Sequence, residues 1–141
     1  LGLAEELERQ AAKRGIEIRV LAEVNIGREE SKSGVLPENL RDFCRELGKY
    51  PHVKLCGFMT MAPICASESE YFNYFKETYD LSVDIWKNTL GRDDEPIFSM
   101  GMSASYRPAI AAGATIVRLG STVFGRTTAD VLKMKNKTED K

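Results

Sequence analysis

The sequence is short of charge of one sign, of long apolar runs and of metal-ligating side chains, and each shortage removes a class of function. Its 141 residues carry twenty Lys and Arg against twenty-one Asp and Glu. That balance supplies no basic field to grip a nucleic-acid backbone or an anionic membrane. No apolar run is long enough to span a bilayer, and no secretory signal pattern occurs. Cys44, Cys56 and Cys65 are odd in number and follow no CxxC or Cys/His zinc spacing. This predicts reduced thiols in a cytosolic protein, buried as small hydrophobes, with no metal site. His52 is the sole histidine; it follows Pro51 ahead of a strand and is read as solvated. An initiating methionine is lacking too, and LGLAEELERQAAKRG at the start reads as the body of a helix rather than a beginning.

What is there is an alternation of two periods. An apolar content of 43% over this length predicts one domain with a real core. From Leu3 to Arg14, Leu3, Leu7 and Ala11 share a helical face, and Gly15 is placed to end the helix. Ile18 to Ile26 alternates as a strand, with Val20, Ala22 and Val24 on one side and Arg19, Leu21, Glu23 and Asn25 on the other. A charged surface loop, Gly27 to Leu36, precedes Pro37 and a helix with Leu40, Phe43, Cys44 and Leu47 as its apolar stripe. VKLCGFMTM, Val53 to Met61, is apolar on both faces, as a parallel strand under helices should be. Ser67 and Glu70 form a capping box ahead of a core stripe of Phe72, Phe75, Tyr79, Val83, Trp86 and Leu90. A third strand at Ile97 to Met100, a helix at Tyr106 to Ala112 and a fourth strand at Thr115 to Leu119 follow. A short helix around Val131, Leu132 and Met134 is expected in a polar tail, 127–141. Alternating helices and strands with short turns imply an α/β fold of roughly four parallel strands joined by right-handed crossovers.

The stretch Phe98 to Gly125, FSMGMSASYRPAIAAGATIVRLGSTVFG, organises the rest. It offers two strand ends with small, hydroxyl-bearing glycine turns, where freed backbone amides can converge on a phosphate-sized anion. Ser99, Gly101 and Ser103 supply one turn; Arg118, Gly120 and Ser121 supply the other.

Three motifs, VNIGREESKSG at Val24 to Gly34, GFMTMAP at Gly57 to Pro63, and SMGMS with VRLGSTVFG between Ser99 and Gly125, resemble those of the YggS or PROSC family. These are pyridoxal 5'-phosphate homeostasis proteins with an alanine-racemase-type, fold-type III barrel. The resemblance covers nearly the whole chain, and it implies the second half of a (β/α)8 TIM-type barrel, over residues 1–126. It further implies a non-catalytic cytoplasmic carrier and buffer of pyridoxal 5'-phosphate rather than an enzyme, serving pyridoxal-dependent apo-enzymes. Ser103, with Gly101 and the amides around Gly120 and Ser121, is then expected to hold the phosphate. Arg118 is expected beside the phosphate or the pyridine nitrogen, where it disfavours ring protonation. Met59 and Met100 are expected against the ring, and Asn25, Glu29 and Lys32 are expected to fix the loop at the barrel mouth. A plain helix cap at Ser103 and an ion pair between Arg118 and Glu23 are the competing assignments.

Two departures from the family stand out. Ala104 and Ser105 occupy a place where an acidic residue is usual, and Pro108 then favours Ser105 over Ser103 as the helix cap. No segment resembles the strand that bears the family's Schiff-base lysine: Lys32 lies in a loop, Lys54 at the wrong end of its strand, and no lysine is expected to point at the site. A fragment of this kind is expected to bind the cofactor weakly, and to associate as a homo-oligomer or be completed by the missing N-terminal half, the alternative being a compact open sheet with helices repacked over both faces. The alternatives are a fragment of an alanine-racemase-like pyridoxal enzyme and a sugar-phosphate barrel enzyme. Against the first, Tyr50, Tyr71, Tyr74, Tyr79 and Tyr106 fall in no racemase-like motif; against the second, Glu23 is the only inner carboxylate.

Overall fold

The computed structural model describes residues 1–125; the helix expected around Val131 to Met134 lies outside them. The chain runs α1 (Gly2–Arg14), β1 (Ile18–Val24), a 3-10 turn (Pro37–Asn39), α2 (Leu40–Leu47), β2 (Val53–Thr60), α3 (Glu68–Asp84), a π turn (Ile85–Thr89), β3 (Ile97–Met102), α4 (Tyr106–Ala111), β4 (Ile116–Arg118) and α5 (Ser121–Phe124). Glycine ends α1 as expected: Gly15 takes φ 63° and its amide donates to the Ala11 and Ala12 carbonyls. Ser67 accepts from the Glu70 amide at the start of α3, while the Glu70 carboxylate accepts from the Ala66 amide. No described helix is long and apolar enough to cross a membrane.

The four strands form one parallel sheet in the order β1-β2-β3-β4. Sequential order with crossovers of one hand puts the connecting helices on one face of the sheet. On that face Ala22, Val24, Leu55, Phe58, Phe98 and Met100 pack against Leu40, Cys44, Leu47, Phe75, Trp86 and Ala109. Phe58 meets Trp86 edge-on at 5.9 Å and stacks on Phe98 at 6.2 Å. Each large side chain buried there contributes roughly 1.5–3 kcal/mol.

A bulge explains why β2 reads as apolar on both sides. Val20 pairs with Leu55 but Leu21 pairs with Gly57, so Cys56 is an extra residue. Val53 and Leu55 face the helices before it, Phe58 and Thr60 after it. The opposite face of the sheet carries Arg19, Leu21, Glu23, Cys56, Met59, Ser99 and Arg118. There the Arg19 Nε donates to Cys56 Sγ at 3.2 Å. Cys44 lies in the core, where burial pushes its thiol up to about 12.

His52 keeps a side chain 37% exposed, in line with the sequence reading, and also finds a partner. Its backbone amide donates to Glu8 Oε2 at 2.8 Å, and its ring Nδ1 lies 2.6 Å from Glu8 Oε1. Because α1 packs along the amino end of β2, the ring reaches a helix carboxylate while staying open to solvent.

Candidate anion-binding site

The carboxyl ends of β2, β3 and β4 open on one cavity of about 380 Å³, lined among others by Lys32, Thr60, Gly101, Ser103, Gly120 and Ser121. Of the expected site residues it therefore gathers Gly101, Ser103, Gly120 and Ser121. Ser103 does not cap α4. Ser105 holds the cap position, its hydroxyl accepting from the Met102 amide, and Pro108 sits in the first turn beyond it. Ser103 is left to join the two glycine turns, and its Oγ accepts from the amides of Gly120 and Thr122, both at 3.2 Å. Two backbone donors thus converge on one oxygen, the arrangement that suits an anion.

Arg118 leaves β4 across the open face of the sheet. Its Nη1 donates to the Ser99 carbonyl at 3.1 Å and the Ser99 hydroxyl at 2.7 Å, and its Nη2 to the Thr60 carbonyl at 3.2 Å. These bonds displace the ion pair with Glu23 that was the competing assignment. Every acceptor is uncharged, so the guanidinium keeps its full positive charge for whatever enters.

The two methionines part company. Met59 pairs with Ser99 in register and lies on the face Arg118 crosses. Met100 is 0% exposed in the helix-side core, because side chains alternate along β3 and its neighbours Ser99 and Gly101 take the other positions. The expectation that Met100 packs near the site is corrected accordingly.

Asn25 organises the mouth loop. Its Nδ2 donates to the Glu29 and Lys32 carbonyls at 2.9 and 3.4 Å, and its Oδ1 accepts from the Glu29 amide at 3.1 Å. Lys32 pairs with Glu29 at 3.2 Å and lines the cavity, against the expectation that no lysine would approach it. Lys54 sits at the amino end of β2, paired with Glu17 at 3.6 Å. Thr60 and Thr122 were missed by sequence reasoning; the signal for Thr60 was a lone hydroxyl within the apolar run GFMTMAP. No cluster of three or more His, Cys, Asp or Glu suited to a metal occurs among the described residues.

The family model for the alanine racemase N-terminal domain matches residues 1–128. The pyridoxal phosphate homeostasis protein of Aquifex aeolicus is 40% identical over 126 residues, covering 87% of this chain and 53% of the relative. That of Haemophilus influenzae is 32% identical over 123 residues, covering 87% and 52%. The chain thus spans about half the length of the curated relatives it matches. Among solved structures, PipY of Synechococcus elongatus, in a form with pyridoxal phosphate bound, superposes with a TM-score of 0.75 at 27% identity, covering 88% of this chain and 57% of that one. Alanine racemase of Clostridium difficile gives 0.70 at 18% identity, covering 90% and 33%, and shares the fold. The chain belongs to the alanine racemase N-terminal domain family.

Proposed function

We propose that the chain is the phosphate-gripping half of a (β/α)8 barrel, residues 1–126, that holds pyridoxal 5'-phosphate for buffering and delivery and catalyses no reaction of its own. The observation that carries this reading is the convergence of the Gly120 and Thr122 amides on Ser103 Oγ, at the same strand ends as the Arg118 guanidinium. Four parallel strands in sequential order with helices over one face have the layout of half a barrel, which needs eight to close. The curated relatives are pyridoxal phosphate homeostasis proteins of about twice the matched length.

The residues fit the group. Neutral amides and hydroxyls from Gly101, Ser103, Gly120 and Ser121 suit a phosphate, which a cluster of carboxylates would repel. Met59 offers a polarisable apolar contact to a ring, and Arg118 presents N–H donors to an unprotonated ring nitrogen. When bound, the cofactor supplies a reactive aldehyde and an electron-poor ring. The chain's own residues bind and orient it. Covalent capture needs an amine beside the aldehyde; Lys54 is at the far end of the sheet, and Lys32 is held by Glu29 at the rim. Delivery to apo-enzymes in the cytoplasm, with a second copy or a companion half covering the open face, completes the reading.

Titration of the chain with pyridoxal 5'-phosphate, followed by absorbance, tests it. Reversible binding competed by inorganic phosphate, with no lysine adduct after borohydride reduction, is expected. Binding indifferent to phosphate, or a trapped adduct on one lysine, overturns it.

A further inference from the structure

We propose that Thr60 is a positioning residue that aims the Arg118 guanidinium into the site, through a hydroxyl committed to the Val24 carbonyl. This rests on the pyridoxal reading above for its ligand but not for its geometry.

Thr60 is the last residue of β2 and is 0% exposed. Its Oγ1 donates to the Val24 carbonyl, the end of β1, at 2.7 Å, while its own carbonyl accepts from Arg118 Nη2 at 3.2 Å. The two bonds run in opposite directions across the sheet, one toward β1 and one toward β4. Arg118 holds its other two bonds, both to Ser99, through Nη1 alone. With those alone the planar fork pivots about Nη1. The Thr60 carbonyl takes the second nitrogen and fixes the plane, and a long side chain with many rotamers is thereby pre-organised. That carbonyl is steady only as far as its peptide is, and the hydroxyl bond to β1 anchors the residue that carries it. The anchor also reaches the mouth loop, since Val24 precedes Asn25, whose side chain gathers Glu29 and Lys32. One buried hydroxyl therefore ties the cationic group on β4 to the loop after β1.

Thr60→Val keeps the shape and removes the donor; Thr60→Ser keeps the donor. In the full chain, Thr60→Val is expected to weaken pyridoxal 5'-phosphate binding by about tenfold, the scale of one hydrogen bond to a charged group. Thr60→Ser is expected to stay within about twofold of the parent, and Thr60→Val is expected to cost less than about twofold when Arg118 is already alanine. A folded Thr60→Val protein that binds as tightly as the parent overturns the proposal, as does an equal loss in the Arg118→Ala background. If the parent binds no pyridoxal 5'-phosphate, the ligand reading falls alone, and the positioning is then read from the Arg118 guanidinium resonances in NMR. Separate Nη signals in the parent and Thr60→Ser, averaged in Thr60→Val, support it; averaged signals in the parent overturn it.

Discussion

Gly57 has room for a hydrogen and nothing more. A Cβ there would lie 2.0 Å from the Ile97 carbonyl oxygen and 2.5 Å from the Ile97 nitrogen, and its φ of 154° is one that side chains rarely accept. Both obstacles are backbone of the neighbouring strand, so relief requires parting β2 from β3. Gly57→Ala is expected to cost about 3–5 kcal/mol, read as a lower urea midpoint; an unchanged midpoint counts against the close strand approach. Glycine in GFMTMAP was visible in the sequence, but the bulge that sets it beside Ile97 was not, since one inserted residue leaves no mark on composition. Single side chains divided in the same way. That Ser103, Gly120 and Ser121 come together at one cavity was legible, because turn chemistry and motif agree; that Arg118 bonds Ser99 and Thr60 instead of lining that cavity was not. Met100 was misplaced because a motif names neighbours in sequence, and alternation sends neighbours to opposite faces. The partner of His52 was not legible because Glu8 is 44 residues away along the chain.

At the scale of elements, α3 shows what local pattern specifies. Its Ser67 cap was readable and forms, while the returning Glu70 carboxylate takes the Ala66 amide, one residue before the Ser67 amide that the capping box implies. Ser67→Ala is expected to lower stability by about 1 kcal/mol through the loss of one amide acceptor, measured by thermal or urea unfolding. A change near zero places the start of α3 outside the cooperative unit. The far end of the helix was not readable. Apolar residues at three- and four-residue spacing continue from Phe72 to Leu90, yet the backbone widens into a π turn at Ile85–Thr89, since the same stripe serves either winding. Tertiary bonds hold that end. Arg41 bonds Asp84 and Thr89, and Trp86 Nε1 donates to the Asp94 carbonyl at 2.7 Å beneath Arg92, 3.8 Å above the ring. None of these lies within one turn of its partner, which is why periodicity is silent about them.

For the molecule as a whole, charge and the uncovered sheet face set the conditions for stability. Hydrogen bonds from Asn88 and Arg41 hold the Asp84 carboxyl below the usual range, and those from Arg92 do the same for Asp94. At Glu8 burial pushes upward, but bonds from the His52 ring and amide prevail and lower it. Depressed carboxylates stabilise the fold above their unfolded pKa, about 4, and lose that contribution as pH falls through the folded values. Thermal unfolding followed by circular dichroism is expected to hold steady from about pH 7 to 5 and to decline below about 4; a rise on acidification contradicts these pairings. The alternation of elements and the four parallel strands were legible, because short turns between helices and strands leave parallel neighbours as the economical arrangement. What covers the second face was not, since periodicity describes each strand's own sides and says nothing of a partner. Leu21 and Met59 lie on that face, Ile116 is partly open to solvent, and among the described residues the outer edge of β1 is met only by Val35 at Val24, that of β4 by no strand. Unpaired edges of a parallel sheet, normally buried on both sides, favour association. Sedimentation of the chain is therefore expected to give a multiple of the monomer mass, with Met59→Glu shifting it toward monomer by setting a charge on the covered face. A parent that stays monomeric and soluble over the same concentrations shows that this face is stable in water and needs no second copy.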